Sequence, residues 1–426
     1  MNHVGLVLVT ALFVLLALGV PIAFVLGLLT VAGVWMIGVS PILVAQRIMA
    51  GTSVTSLLAV PGFILAGDLM TAGGLSRRLI RIASAIIGHV PGGLSMAGVI
   101  AGTFFGAISG SAPATTAAIG SVMIDEMEDR GYERVYGAAL ATGVGPLGQM
   151  IPPSIPMVIW GVLADQSIAK LFLGGAIPGL LAAAGFVVLS YIYAKRNNIP
   201  KERRSSFKEF MFACVNGIWA LMAPLVILGG IYGGAFTPTE ASMVAVLYSV
   251  IVGVFVYRDL KLSQIPAIIL AAMKTTSMIV FIIATAFGFS WVLASEEIPQ
   301  KATEAIFALT NSPAAIIIIM CVILLILGAV MDNVSAMVIL STVLISVGDK
   351  IGMSPIQLGV FVVITFAVGM VTPPVGYSLF VGSSISGLSI ERISQYLWPF
   401  IIVLVVVVLM IGFIPAVSLA LPSLLR

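Results

Sequence analysis

The segment Leu147-Gly-Gln-Met-Ile-Pro-Pro-Ser154 carries two consecutive prolines inside an otherwise apolar run. The run extends from Val135 to Ala164 and contains no Asp, Glu, Lys or Arg. A charge-free run of this length is typical of a membrane-spanning helix, which needs about 20 apolar residues. A proline inside a helix removes one backbone N–H and clashes with the preceding turn. The segment therefore predicts a membrane helix that is broken near its middle.

The composition of the whole chain also indicates a membrane protein. Of its 426 residues, 60% are hydrophobic and only 9% are charged, and the mean hydropathy is +1.19. These values lie outside the usual range of water-soluble domains, and the length leaves room for roughly ten or more membrane segments. The basic residues behind the net charge of +3 concentrate in short loops, which fits membrane orientation better than nucleic-acid binding. We predict an all-α polytopic membrane protein, surrounded by membrane lipid and with no nucleic-acid partner.

Two of the apolar runs are too long for a single crossing. They cover residues 91–124 and 312–348, and each contains a polar centre. Such a run can enter the membrane and return to the same side as a re-entrant hairpin. Basic residues favour the cytoplasmic side, and the basic clusters around Arg78, Arg196 and Arg258 share one side only if both runs return. The sequence therefore predicts ten crossings and two hairpins.

The double proline occurs twice in the chain. Gly148 and the prolines after it align with Gly369-Met-Val-Thr-Pro-Pro374 when the sequence is shifted by 369 − 148 = 221 residues. The same shift places the basic cluster Arg77–Arg81 immediately after an acidic pair, Glu296 and Glu297. The two copies are then expected to present opposite faces to the cytoplasm, which makes them an inverted repeat.

The repeat predicts two halves with the same order of elements. Residues 1–210 form the first half, with helices 1 to 5 and the hairpin 91–124. Residues 211–426 form the second half, with helices 6 to 10 and the hairpin 312–348. Broken helices at corresponding positions of two inverted halves point to a secondary transporter whose site lies where the breaks meet. An ordinary proline kink is the alternative for each Pro-Pro taken alone.

The predicted hairpin tips are rich in oxygen-bearing side chains. Ser109 and Ser111 lie at the first tip, which has no acid. Asp332 is the only acidic or basic residue of the second run, and a carboxylate at membrane depth costs several kcal/mol unless a partner offsets it. We favour a bound cation as that partner, and hard oxygen ligands suit sodium better than a transition metal. A protonated Asp332 bonded to Asn333 or Ser335 is the alternative.

Four motifs of the chain occur together in a known family. They are Gly233-Gly-Ala-Phe-Thr-Pro-Thr-Glu-Ala241, Ser109-Gly-Ser111, Ile151-Pro-Pro-Ser154 and Met331-Asp-Asn333. Together they resemble the large membrane subunit, or M subunit, of the tripartite ATP-independent periplasmic (TRAP) transporters. The resemblance runs essentially from end to end. The chain departs from the usual small residue followed by Pro-Thr-Pro-Thr-Glu-Ala at Phe236, which replaces the first proline.

The resemblance implies an elevator-type transporter of the bacterial inner membrane, similar in fold to the ion-transporter superfamily. The moving transport domain is then mainly residues 91–164 and 312–387, and the remaining helices form a scaffold. Sodium is the coupling ion, with no other cofactor. The implied partners are a small four-helix membrane subunit and a periplasmic substrate-binding protein, which delivers an organic acid such as a C4-dicarboxylate or a sugar acid.

The resemblance also implies two sodium sites, in which Gly, Ile and Pro residues contribute backbone carbonyl groups. The residues of the first site are Ser109, Ser111, Gly148, Ile151 and Pro153. Those of the second are Asp332, Gly369, Thr372 and Pro374, with Asn333 adjacent.

Three other functions compete with this hypothesis. A self-sufficient sodium:carboxylate symporter would work without a binding protein. An intramembrane enzyme would need a nucleophile and base or paired acids at depth, and the sequence indicates Asp332 alone, so we predict no enzymatic activity. A purely structural membrane subunit would leave the polar tips and the paired helix breaks without a purpose.

Overall fold

The fold was obtained as a computed structural model that describes residues 3–201 and 203–425. Within these ranges all regular secondary structure is helical and there is no β-strand, which confirms the all-α prediction. Eight helical segments are long and apolar enough to cross a membrane, as expected of a multi-pass membrane protein. They are Thr55–Ala72, Ile168–Arg196, Phe207–Tyr232, Pro238–Val256, Leu262–Ser295, Pro313–Val330, Asn333–Lys350 and Ile390–Phe413.

The first half of the chain forms eleven α-helices. They are α1 (His3–Ala17), α2 (Ile22–Ile37), α3 (Ile42–Thr52), α4 (Ala59–Ala72), α5 (Leu75–Ile87), α6 (Gly93–Ser109), α7 (Ala112–Asp129), α8 (Arg134–Val144), α9 (Leu147–Met150), α10 (Ile155–Leu163) and α11 (Ile168–Arg196). A short 3₁₀ helix, Thr55–Leu58, leads directly into α4.

The second half forms ten α-helices. They are α12 (Phe207–Tyr232), α13 (Pro238–Val250), α14 (Ile265–Ser295), α15 (Ile298–Leu309), α16 (Pro313–Val330), α17 (Asn333–Lys350), α18 (Pro355–Gly369), α19 (Tyr377–Ser386), α20 (Ile390–Phe413) and α21 (Pro415–Leu419). A π-helix, Ile251–Val256, continues α13, and 3₁₀ helices cover Leu262–Gln264 and Pro422–Leu424.

Each of the two long apolar runs folds as two helices around a polar turn. In the first run, α6 ends at Ser109 and α7 begins at Ala112. Gly110 between them has φ = 62°, a conformation that glycine adopts without the usual steric cost. In the second run, α16 ends at Val330 and Asp332 is the N-cap residue of α17. The helix–turn–helix form of both runs is as predicted.

Each Pro-Pro segment interrupts a helix, also as predicted. The first break, residues 151–154, separates α9 from α10 and contains a cis bond between Pro152 and Pro153. The second break, residues 370–376, separates α18 from α19 and contains a cis bond between Pro373 and Pro374. Helix capping relieves part of the interruption, because the hydroxyl of Ser154 accepts a hydrogen bond from the N–H of Met157 at the start of α10.

Three short helices, α3, α5 and α15, were missed from the sequence. The cluster Arg77–Arg81, which we expected in a loop, lies on α5. This helix buries Leu75 and Leu79 on one side and exposes Arg77 and Arg81 on the other. Because its charges recur every three to four residues, it contains no continuous apolar run, although its periodicity is that of an amphipathic helix.

Two of the basic clusters meet at one end of the molecule. The guanidinium group of Arg78 donates a hydrogen bond to Asp259, with Nη1 2.6 Å from Oδ2. It also lies 3.7 Å from the centroid of the Tyr257 ring, a cation–π contact. Asp259 follows Arg258, so this contact places the clusters around Arg78 and Arg258 on the same side, as the charge pattern requires.

Candidate functional site

A cavity of about 370 Å³ lies between the two hairpin tips. Residues of both tips line it, together with Gln149, Ile155 and Pro156 beside the first helix break and Met370 in the second, and α4 and α14 form another wall. The α14 residues at this wall are Thr275, Met278, Ile279 and Ile282, which share one helical face. The polar side chains of the lining come from Asp68, Ser109, Ser111, Gln149, Thr275, Asp332, Asn333 and Tyr377. Within residues 3–201 and 203–425, no Lys, Arg or His lines it.

The first tip packs closely against the first broken helix. A Cβ atom added to Gly148 would lie 2.3 Å from Thr115 Oγ1 and 2.7 Å from the carbonyl oxygen of Ser111. Only a glycine permits this approach, so packing alone gives Gly148 a role. The hydroxyl of Thr115 in turn lies 2.9 Å from that of Ser109. The structure thus brings Ser109, Ser111 and Gly148 of the predicted first site together.

The last two residues predicted for this site lie in the break itself. A Cβ atom on Gly110 would lie 3.0 Å from the carbonyl oxygen of Pro153, so Pro153 contacts the tip directly. The N–H of Ile155 donates to the carbonyl oxygen of Gly110 at 3.2 Å and holds this contact. The side chain of Ile151 packs against Gly179 of α11. Because a hydrocarbon side chain cannot bind a cation, only the backbone of Ile151 could serve the site.

Asp332 caps the second helix of the second hairpin. Its Oδ1 atom accepts a hydrogen bond from the N–H of Val334 at 2.9 Å, and its Oδ2 atom accepts one from the N–H of Ser335 at 3.2 Å. The Ser335 hydroxyl also bonds to Oδ2. A bond between Asp332 and Ser335 is also what the alternative to a bound cation, a protonated Asp332, predicts. Asp332 therefore has a capping role that does not require an ion.

The second tip meets the second broken helix through glycine. A Cβ atom on Gly369 would lie 2.6 Å from Gly328 Cα, and the N–H of Gly376 donates to the carbonyl oxygen of Ala329 at 2.9 Å. Gly369 does not itself line the cavity, and neither do two other residues predicted for this site, Thr372 and Pro374. The hydroxyl of Thr372 donates to the carbonyl oxygen of Val368, one turn earlier in the chain, at 2.8 Å. The second, Pro374, is exposed.

Gln149 is a site residue that the sequence analysis missed. Its Nε2 atom lies 3.5 Å from the sulfur of Met370, and its Oε1 atom accepts a hydrogen bond from the amide of Asn333. It therefore joins the first helix break to the second tip and to the second break. The signal was present in the sequence, because Gln149 carries the only side-chain amide in the run 135–164.

The sequence analysis also missed Asp68. Asp332 is therefore not the only acid within a membrane helix, as the sequence analysis had it. Asp68 is the only charged residue of α4, and it lines the cavity. Thr115, which is fully buried beside Ser109, was missed as well. Elsewhere in the described ranges, no group of three or more His, Cys, Asp and Glu residues is arranged to hold a metal ion.

Known proteins are similar to this chain in sequence and in fold. The family described as the DctM component of tripartite ATP-independent periplasmic transporters matches residues 9–417. The chain is 42% identical to the isethionate TRAP transporter permease protein DctMQ of Oleidesulfovibrio alaskensis, over 94% of the chain and 64% of that relative. It is likewise 42% identical to the C4-dicarboxylate TRAP transporter large permease protein DctM of Pseudomonas aeruginosa, over 86% of each protein.

Solved structures show the same fold at low sequence identity. The YdaH transporter of Alcanivorax borkumensis superposes with a TM-score of 0.64 at 14% identity, and the match covers 99% of both chains. The family match over nearly the whole sequence confirms the resemblance found in the motifs. The chain is a DctM-like large permease subunit of the tripartite ATP-independent periplasmic transporter family.

Proposed function

We propose that the chain carries out sodium-coupled uptake of an organic acid, delivered by a periplasmic substrate-binding protein, in a complex with a small membrane subunit. The observation that carries this proposal is the meeting of two polar tips and two broken helices around one cavity. Family membership supports transport of an organic acid, since the names of the two relatives refer to isethionate and C4-dicarboxylate.

The first tip has the chemistry of a sodium site. The hydroxyl groups of Ser109 and Thr115 lie 2.9 Å apart, and the Ser111 carbonyl oxygen approaches Gly148. Such neutral oxygens suit a hard monovalent cation, and no cysteine or histidine is among the described residues that line the cavity. At the second tip, the carboxylate of Asp332 would contribute a full negative charge.

The charge of the cavity explains how sodium could drive anion uptake. Asp68 and Asp332 line the cavity and no basic side chain of the described residues does, so an organic anion would be repelled from the empty site. Cations bound first would remove this repulsion. Each net positive charge that then moves inward contributes about 2.3 kcal/mol per 100 mV of membrane potential.

The contacts support a moving unit built from the tips and breaks. Gly148 and Gly369 each approach a hairpin backbone too closely for a larger residue, and Gln149 bonds to Asn333 across the two halves. We therefore assign the transport domain mainly to residues 91–164 and 312–387, with the remaining helices as scaffold. In an elevator mechanism, this unit would carry the cavity past the wall formed by α4 and α14.

The test is solute uptake into proteoliposomes that contain the chain and its small subunit. Uptake is measured with and without the binding protein, under a sodium gradient or an equal potassium gradient, for wild type and Asp332→Ala. We expect uptake that needs both sodium and the binding protein and that Asp332→Ala abolishes. Uptake without the binding protein would favour the self-sufficient symporter, and uptake indifferent to sodium would contradict the proposed coupling.

A further inference from the structure

Asp68 is an acid in a membrane helix, and none of the described residues pairs with it. It lies in the segment Thr55–Ala72, one of the eight long enough to cross the membrane, and it is partly buried at the cavity wall. Within residues 3–201 and 203–425, its carboxylate makes no hydrogen bond and no ion pair. A carboxylate at this depth is costly unless something compensates its charge. Its position therefore indicates a positively charged partner that enters from the cavity.

The first hairpin tip packs against α4 at the residue that precedes Asp68. A Cβ atom on the preceding residue, Gly67, would lie 3.2 Å from Ser109 Cα and 3.5 Å from the Ser109 carbonyl oxygen. Ser109 is the last residue of α6, where backbone carbonyl groups lack helical partners and carry the negative end of the helix dipole. Ser109 and Asp68 both line the cavity, so a cation that entered it could interact with the end of α6 and with the carboxylate.

The two hairpin tips differ in charge, and Asp68 would supply the negative charge that the first tip lacks. The second tip carries its own acid, Asp332, whereas the first tip offers only neutral oxygens. The 221-residue shift aligns Gly67 with Gly288, but it aligns Asp68 with Phe289, which is buried. The second half of the repeat, whose tip carries Asp332, therefore has no acid at the position equivalent to Asp68.

We propose that Asp68 supplies, from α4, the negative charge that the first cation site lacks. The proposal rests on the proposed sodium coupling and extends it to a residue outside the hairpins and the broken helices. Because α4 belongs to the scaffold, the attraction acts only while the first tip packs against Gly67. Asp68 then favours the cation-loaded form of this conformation and loses its effect when the transport domain moves away.

The experiment measures sodium binding without any organic solute. The chain with its small subunit is purified in detergent, and its thermal unfolding midpoint is titrated with NaCl against choline chloride at constant ionic strength. We expect Asp68→Asn to raise the sodium concentration for half-maximal stabilisation roughly threefold to tenfold, the range for one partly screened charge. In choline chloride alone its midpoint should equal or exceed that of wild type, because an uncompensated buried charge has been removed.

Three further variants make the outcome decisive. Asp68→Glu keeps the charge and should keep the sodium response. Asp165→Asn makes the same chemical change in an exposed turn remote from the cavity and should change nothing. Asp332→Asn tests the second site in the same assay.

Each contrary result has a distinct meaning. An unchanged sodium titration for Asp68→Asn, with a weakened one for Asp332→Asn, would overturn the role of Asp68 and leave sodium coupling intact. A lower midpoint for Asp68→Asn in choline chloride would show a structural role and would also overturn the proposal. A wild-type protein without any sodium-specific stabilisation would overturn both the role of Asp68 and the proposed coupling.

Discussion

Gln149 and Met370 touch across the two halves of the chain. The Nε2 atom of Gln149 lies 3.5 Å from the sulfur of Met370, and 370 − 149 = 221, the shift that aligns the two Pro-Pro segments. Equivalent positions of the two breaks therefore meet at the cavity. Gln149 also accepts a hydrogen bond from Asn333, so one side chain connects three of the four site elements.

Gln149→Leu should destabilise the protein because it leaves a buried amide unpaired. Asn333 is 2% exposed, and its Oδ1 atom already lacks a partner among the described residues, so loss of Gln149 would leave both polar atoms unsatisfied. We expect a loss of about 1–3 kcal/mol, measured by denaturant unfolding in detergent micelles. The double variant Gln149→Leu/Asn333→Leu should lose less than the sum of the two single changes. Strict additivity would contradict the role of this hydrogen bond.

Asp332→Asn should separate helix capping from cation binding. Asparagine caps a helix nearly as well as aspartate does, so stability in choline chloride should stay within about 1 kcal/mol of wild type. Sodium-dependent stabilisation and uptake should be lost, because the charge is gone. Ser335→Ala is the matched control, since it removes one hydrogen bond to Asp332 and keeps the carboxylate. If Asp332→Asn retained a full sodium response, the capping interpretation would be sufficient.

Gly148→Ala and Gly369→Ala should force the hairpins away from the broken helices. An added Cβ atom would lie 2.3 Å from Thr115 Oγ1 in the first case and 2.6 Å from Gly328 Cα in the second. We expect each change to cost about 1–3 kcal/mol of unfolding free energy and to reduce uptake strongly. Gly229→Ala in α12 is the control, because its Cβ atom would meet nothing within 4 Å. Equal behaviour of all three variants would show that the close contacts are not needed.

Much of the fold follows from the sequence because membrane burial leaves a strong local signal. The apolar runs and the repeated Pro-Pro segment predict the two helix–turn–helix runs and the two broken helices, and the return of each run to the side that it entered stays a prediction. Of the ten predicted crossings, six contain helices long enough to span a membrane, and the other four are formed by α1, α2 and the two broken helices, which are shorter. Helices such as α5 were missed because an amphipathic segment at a membrane boundary has no continuous apolar run.

The site could be predicted only where a residue is conspicuous along the chain. Asp332 and the Ser-Gly-Ser tip interrupt long apolar runs, and they do line the cavity. Thr115 resembles any other threonine of a helix along the chain, and its contacts with Ser109 and Gly148 appear only in the structure. Gln149 does interrupt an apolar run, but its contacts with Asn333 and Met370 could not be read from the sequence. Pro374, which the family resemblance implies as a ligand, is exposed and lies outside the cavity lining, and its role stays a prediction.

Thr115→Val should weaken the first sodium site without disturbing the packing. The Thr115 hydroxyl is buried 2.9 Å from that of Ser109, and valine replaces it with a methyl group of similar size. Loss of one oxygen from the tip should raise the sodium concentration for half-maximal uptake about threefold to tenfold, equivalent to one hydrogen bond of roughly 1 kcal/mol. Thr115→Ser keeps the hydroxyl and should restore most of the sodium affinity.

The matched control for this change is Thr365→Val in α18. Thr365 is also fully buried, but its hydroxyl donates only to the carbonyl oxygen of Phe361 in its own helix, at 2.6 Å. Thr365→Val should therefore leave the sodium dependence of uptake at the wild-type value. If both valine variants shifted this dependence equally, the effect would come from general loss of a buried hydroxyl and not from the tip. A normal sodium response in Thr115→Val would exclude the Thr115 hydroxyl from the first site and leave its oxygens to Ser109, Ser111 and the backbone.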